Sequence, residues 1–77
     1  MRLKELEMKL QEINIPSHAY SLNGGLPNER FCLNAVGGKW ETYYSERGNK
    51  SGRKIFANED EACDYFFTWI KHNLSMV

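Results

Sequence analysis

Leu3, Leu6, Leu10 and Ile13 recur at intervals of three, four and three. This spacing sets all four on one stripe of a helix over residues 2–13. Lys4, Glu5, Glu7, Lys9, Gln11 and Glu12 surround the stripe, with Met8 on the polar side. Glu5 and Lys9 stand four apart, a favourable helical pair. Pro16 disfavours helical geometry at Ile15, so the helix is expected to stop near Asn14.

From there the period falls to two. In residues 17–24 Tyr20 and Leu22 alternate with Ala19 and Ser21, and residues 24–29 (GGLPNE) are turn chemistry throughout. Over residues 30–36 Phe31, Leu33 and Ala35 point one way, and Arg30, Cys32 and Asn34 the other. Gly37-Gly38 between two such runs is a two-residue hairpin signal. The next strand, within GKWETYYSERG (38–48), sends Trp40, Thr42, Tyr44 and Glu46 to one side and Glu41, Tyr43, Ser45 and Arg47 to the other. Residues 49–52 (NKSG) read as a further turn, and residues 53–57 (RKIFA) as a short fourth strand or an extended lead-in.

A second helix follows. Asn58 can cap it, Glu61 completes the capping-box spacing, and Glu59 and Asp60 suit the positive end. Ala62, Cys63, Phe66, Ile70 and Leu74 form its apolar stripe, edged by Phe67, Tyr65 and Trp69, while Asp60, Asp64, Thr68 and Lys71 form the outer face. The pattern predicts one α+β domain over residues 1–77, ordered α-β-β-β-(β)-α. Its sheet is an antiparallel meander of three or four strands with both helices on one face.

The side of the third strand that carries Trp40 is the more apolar, so it belongs under the helices with Tyr20, Leu22, Phe31 and Leu33. No element remains to cover the opposite side. Arg30, Asn34, Glu41, Tyr43, Ser45 and Arg47 are therefore the candidate partner-binding surface, tyrosine and arginine being residues that interfaces favour. Arg47 is expected to lie along Tyr43 as a solvated strand-end charge. Glu46, at the edge of the core, is expected to accept hydrogen bonds from backbone amides or a tyrosine hydroxyl.

Composition narrows the chemistry. Ten basic and ten acidic residues cancel, so no whole-molecule field draws the chain to nucleic acid or anionic lipid. No apolar run reaches the ~20 residues of a membrane span, and the charged N-terminus lacks the core of a secretion signal, which predicts a cytoplasmic protein. Cys32 and Cys63 are expected to be free thiols on opposite sides of the sheet. Two lone cysteines and two lone histidines (His18, His72) give neither the paired spacing of a zinc site nor a catalytic dyad. Neither glycine pair opens a helix, so neither is a phosphate loop. The expectation is no catalytic residue, no metal and no cofactor.

The block W-x-x-Y-Y-S-E-R-G, at residues 40–48, is followed by F-x-x-E-x-E-A-C-x-Y-F at residues 56–66. Together with IPSHAYSLNGGLPNERFCL they resemble a family of small bacterial immunity proteins from polymorphic toxin systems, over roughly residues 15–70. The resemblance implies a protein without chemistry of its own that binds and blocks a cognate toxin stoichiometrically. A toxin domain is then the expected protein partner, and self-association is compatible with the same reading. The matching blocks also have structural roles, so the resemblance assigns no toxin-contacting residue. The alternative partner is double-stranded RNA: domains that bind it share this element order, and RGNKSGRK (47–54) carries four basic residues in eight. In that family the second helix begins with a basic segment against the phosphates. Here it begins NEDEACD, which would repel them.

Overall fold

The computed structural model describes residues 1–74. In chain order it contains α1 (Leu3–Glu12), a 3-10 turn (Ser17–Ala19), β1 (Tyr20–Ser21), β2 (Arg30–Val36), β3 (Lys39–Glu46), β4 (Asn49–Phe56) and α2 (Glu59–Asn73). The four strands form one sheet in the order β1-β2-β3-β4, with the helices as the second layer. The expected α+β order is present, and the fourth strand is real.

Helix α1 ends through its own backbone. Asn14 takes a φ of 60°, its N–H donates to the Gln11 carbonyl, and the Ile15 N–H donates to the Leu10 carbonyl at 3.0 Å. These two bonds are a Schellman closure with asparagine in the left-handed position, and they fold buried Ile15 back beside Leu10. At the other end the Leu3 N–H, one of the donors a helix start leaves unpaired, donates to the Glu59 carboxylate at 2.7 Å. Glu59 also pairs with Arg2 at 2.9 Å. The first turn of α2 thus caps the start of α1. The start of α2 is capped as expected: the Glu61 N–H donates to Asn58 Oδ1 at 2.9 Å. Leu6, Leu10, Ala62, Cys63, Phe66 and Ile70 meet fully buried over Leu33. Phe31, Trp40 and Phe56 pack half-buried against this cluster.

The sheet departs from the predicted meander at its first strand. β1 is only two residues long and runs parallel to β2, pairing Tyr20 with Phe31 and Ser21 with Cys32. The alternation over residues 17–24 therefore overstates the strand. The chain leaves β1 at Leu22 and takes a loop to Arg30, which lets it re-enter the sheet in the same direction. β2, β3 and β4 do form an antiparallel meander. Gly37 and Gly38 both have positive φ, as the predicted tight hairpin requires. Arg47 (φ 51°) and Gly48 (φ 78°) form a second turn of the same kind. Arg47 is therefore the first turn residue and not the last residue of the strand.

NKSG, expected as a turn, is the first half of β4. Thr42 pairs with Lys54 and Tyr44 with Ser51, so Gly52 and Arg53 together oppose Tyr43. One extra residue is inserted, and Gly52, at φ 61°, adopts the left-handed geometry of a glycine bulge. A β-carbon on Gly52 would meet nothing within 4 Å, so the requirement is one of backbone alone. Gly52→Val should cost about 1–2 kcal/mol, the penalty for a side chain in left-handed geometry, whereas Gly52→Asn should cost much less. Urea melts of the two variants test this. Equal losses would show that the bulge does not depend on this conformation.

Candidate functional site

The bulge decides what the sheet shows on the side away from the helices. Strand residues three apart normally face opposite ways, but the extra residue at Gly52 sets Lys50 and Arg53 on the same face. The register aligns them with Ser45 and Tyr43, on the side that also carries Glu41. Glu41 is fully buried there. Its carboxylate accepts hydrogen bonds from Asn34 Nδ2 at 2.8 Å, Lys50 Nζ at 3.1 Å and Arg53 Nε. Burial by itself would push this carboxyl up, but the three donors outweigh it and hold it at about 2. A carboxylate that weakly basic suits holding cations in place and not accepting protons.

This side of the sheet is not the open face that the strand alternation predicts. Tyr43 and Ser45 are as fully buried as Glu41, and so is Cys32. The loop between β1 and β2 folds across them. The Tyr43 hydroxyl donates to the Gly25 carbonyl at 2.6 Å, and the Gly24 N–H donates to the Leu33 carbonyl at 3.1 Å. Gly24 lies so close to Asn34 that any β-carbon would collide with its side-chain amide. Lys50 Nζ sits 4.5 Å from the centre of the Tyr43 ring, completing the cover from the β4 side. Burial pushes the Tyr43 phenol up to about 12 and raises the Cys32 thiol as well.

Of the six residues predicted for a partner, Glu41, Tyr43 and Ser45 therefore present no surface. Arg30 and Asn34 are half-buried, and Arg47 is exposed at the turn, where its N–H donates to Asn28 Oδ1 at 3.3 Å. The expected roles of the two glutamates are exchanged. Glu46 is exposed, and Glu41 is the carboxylate that satisfies donors. What this face does present is Lys39, Lys50, Arg53 and the apolar Val36 and Ile55, the last two 40 % and 46 % exposed. Sequence reasoning missed Lys50 and Arg53 by reading Lys50 into a turn. A signal was present, for Gly52 stands among cations spaced three apart, the interval that a bulge converts to one face.

The charges sort by layer. Residues 30–57, which hold β2 to β4, carry six basic and two acidic side chains, and the rest of the chain carries four basic and eight acidic. The sheet layer is thus cationic and the helix layer anionic, although the whole is neutral. The two cysteines are free and buried on opposite sides of the sheet. Burial pushes the Cys63 thiol up to about 11, and His72 is exposed. Among the described residues no three His, Cys, Asp or Glu side chains are grouped to hold a metal ion, and no helix is long and apolar enough to cross a membrane. Comparison with protein-family models, curated proteins and solved structures finds no match.

Two measurements test this placement. Glu41 titrates near 2 when folded, against 4.5 when unfolded, so its stabilisation is complete above pH 4.5 and is lost as pH falls towards 2. The difference corresponds to about 3 kcal/mol. Urea melts from pH 7 to pH 3 should show this acid limb in the native chain and a flatter one in Glu41→Gln; parallel limbs would assign the loss to other carboxylates. Tyr43→Ala should destabilise by about 3–5 kcal/mol, as a buried aromatic does, while Arg47→Ala stays within about 0.5 kcal/mol. Equal thermal melts for these two variants would contradict the loop-covered face.

Proposed function

We propose that the protein is a non-enzymatic binding protein that acts in the cytoplasm as an immunity protein, blocking a cognate toxin domain by stoichiometric binding. The observation that carries this reading is the exposed part of the sheet face. There Val36 and Ile55 stand among Lys39, Lys50 and Arg53, over a carboxylate that fixes two of those cations. An apolar centre with a polar rim is the anatomy of a protein interface, and arginine is among the residues enriched there. Charges already fixed before encounter lose little side-chain entropy on binding and steer an oppositely charged partner. The resemblance of the 40–48 and 56–66 blocks to immunity proteins points the same way, although most of the matching strand residues serve the fold. An acidic surface on the toxin domain is the complement this face calls for.

The test is to look for a toxin domain encoded immediately upstream, to co-express the chain with it, and to measure complex mass and affinity. A one-to-one complex that suppresses toxin activity is expected. Ile55→Asp and Lys39→Glu, both on the surface, should melt like the native chain yet weaken the complex at least tenfold. A complex untouched by either change would move the interface elsewhere. No complex, together with salt-sensitive binding of double-stranded RNA at micromolar concentration, would replace the reading with the nucleic-acid one.

A further inference from the structure

At the opposite edge of the sheet from β4, a groove of about 810 Å³ runs between the start of α1 and β1. Its volume falls in the range of ligand sites. Tyr20, Ser21, Leu22 and Asn23 all line it, four consecutive residues. Tyr20 and Ser21, the two residues of β1, face opposite sides, so both reach one groove only at the edge of the strand. Leu22 and Asn23, in the bend that follows, continue the same wall. The flanking walls agree. Leu3 comes from the helix layer, whereas Arg30 belongs to the sheet face that carries Ser45. The groove therefore wraps the free edge of β1, which has a partner strand on one side only.

The lining also has a sign. Arg2, Lys4 and Arg30 contribute three cations, against Glu7 and Glu59. Glu59 is committed to Arg2 and to the Leu3 N–H. Glu7 lies towards Tyr20, whose phenol is raised first by burial and then by this carboxylate. Lys4 and Arg30 form no ion pair among the described residues, and they stand over a floor that includes Leu3 and Leu22.

We infer that this groove binds an extended acidic peptide segment of another protein, added as a strand to the outer edge of β1. Backbone groups along residues 20–23 would pair with the segment's main chain. Its alternate apolar side chains would rest on Leu3 and Leu22, and a carboxylate side chain would meet Arg30 and Lys4. The two residues of β1 span only about 7 Å, a short addition, so the charge supplies much of the selectivity. This site shares no residue with the Val36–Ile55 face and does not depend on the immunity reading.

The probe is a displayed library of random dodecapeptides panned against the full chain, followed by amide chemical-shift mapping with the enriched peptides. Expected are peptides that alternate apolar residues with Asp or Glu. Their shifts should be confined to residues 2–7, 20–23 and 30, and their affinity should fall at least threefold between 50 and 300 mM salt. Lys4→Glu combined with Arg30→Glu should weaken them at least tenfold. If that variant does not fold, the salt dependence and the shift map of the native chain decide instead. Failure to enrich any peptide, enrichment of neutral or basic ones, or shifts centred on β3 and β4 would each overturn the proposal.

Discussion

A fully buried carboxylate must be met by donors to stay charged; without them it takes up a proton or destabilises the fold. Glu41 meets this constraint with Asn34 from one neighbouring strand and Lys50 and Arg53 from the other. The solution ties three strands together at one point. Breaking such a cluster by removing one partner is costly, because the remaining charge stays buried. Two other features follow from the same requirement. The extra residue at Gly52 is needed to aim both cations at one acceptor. The β1–β2 loop is needed to exclude water from a face that the helices do not reach, and Tyr43 anchors that loop through Gly25.

Much of this fold is legible in the sequence because its periods are clean. The three-four spacing of Leu3, Leu6 and Leu10, the Asn58 cap and the paired glycines at 37–38 each signal their structure through local chemistry. The side of β3 that packs under the helices also follows from alternation, with Thr42 fully buried and Trp40 and Tyr44 half-buried. What alternation cannot carry is cover supplied by irregular chain. Residues 24–29 read as turn chemistry, which they are, yet nothing in their composition says that the turn lies across Tyr43. Charge misleads for a related reason. A glutamate in mid-strand looks solvated until its partners are counted, and those partners reach it only because a single glycine shifts the register of β4.

The helix layer is held by a different device. Glu59 spends its carboxylate on the Leu3 N–H and on Arg2, so the positive end of each helix lies close to acidic groups from α2. An N-terminus occupied in this way is closed to phosphate. The acidic opening of α2, which argues against RNA in the sequence, thus has a structural task within the chain. The same segment sets one wall of the groove beside β1, so that the packing of the helices also shapes the sheet's first edge.

The two outer strands of the sheet consequently treat a passing chain in opposite ways. β4 is eight residues long and exposed along nearly all of its length, the kind of border on which unrelated molecules can stack into aggregates. Lys50, Arg53 and Lys54 make that border repel an incoming strand of like charge, and the bulge bends it out of the flat line a template needs. Natural sheets keep lysines and bulges on long borders for this reason. The glycine that lets Glu41 meet both cations therefore also guards this border against strand pairing, and it leaves the short border at β1 as the less defended one.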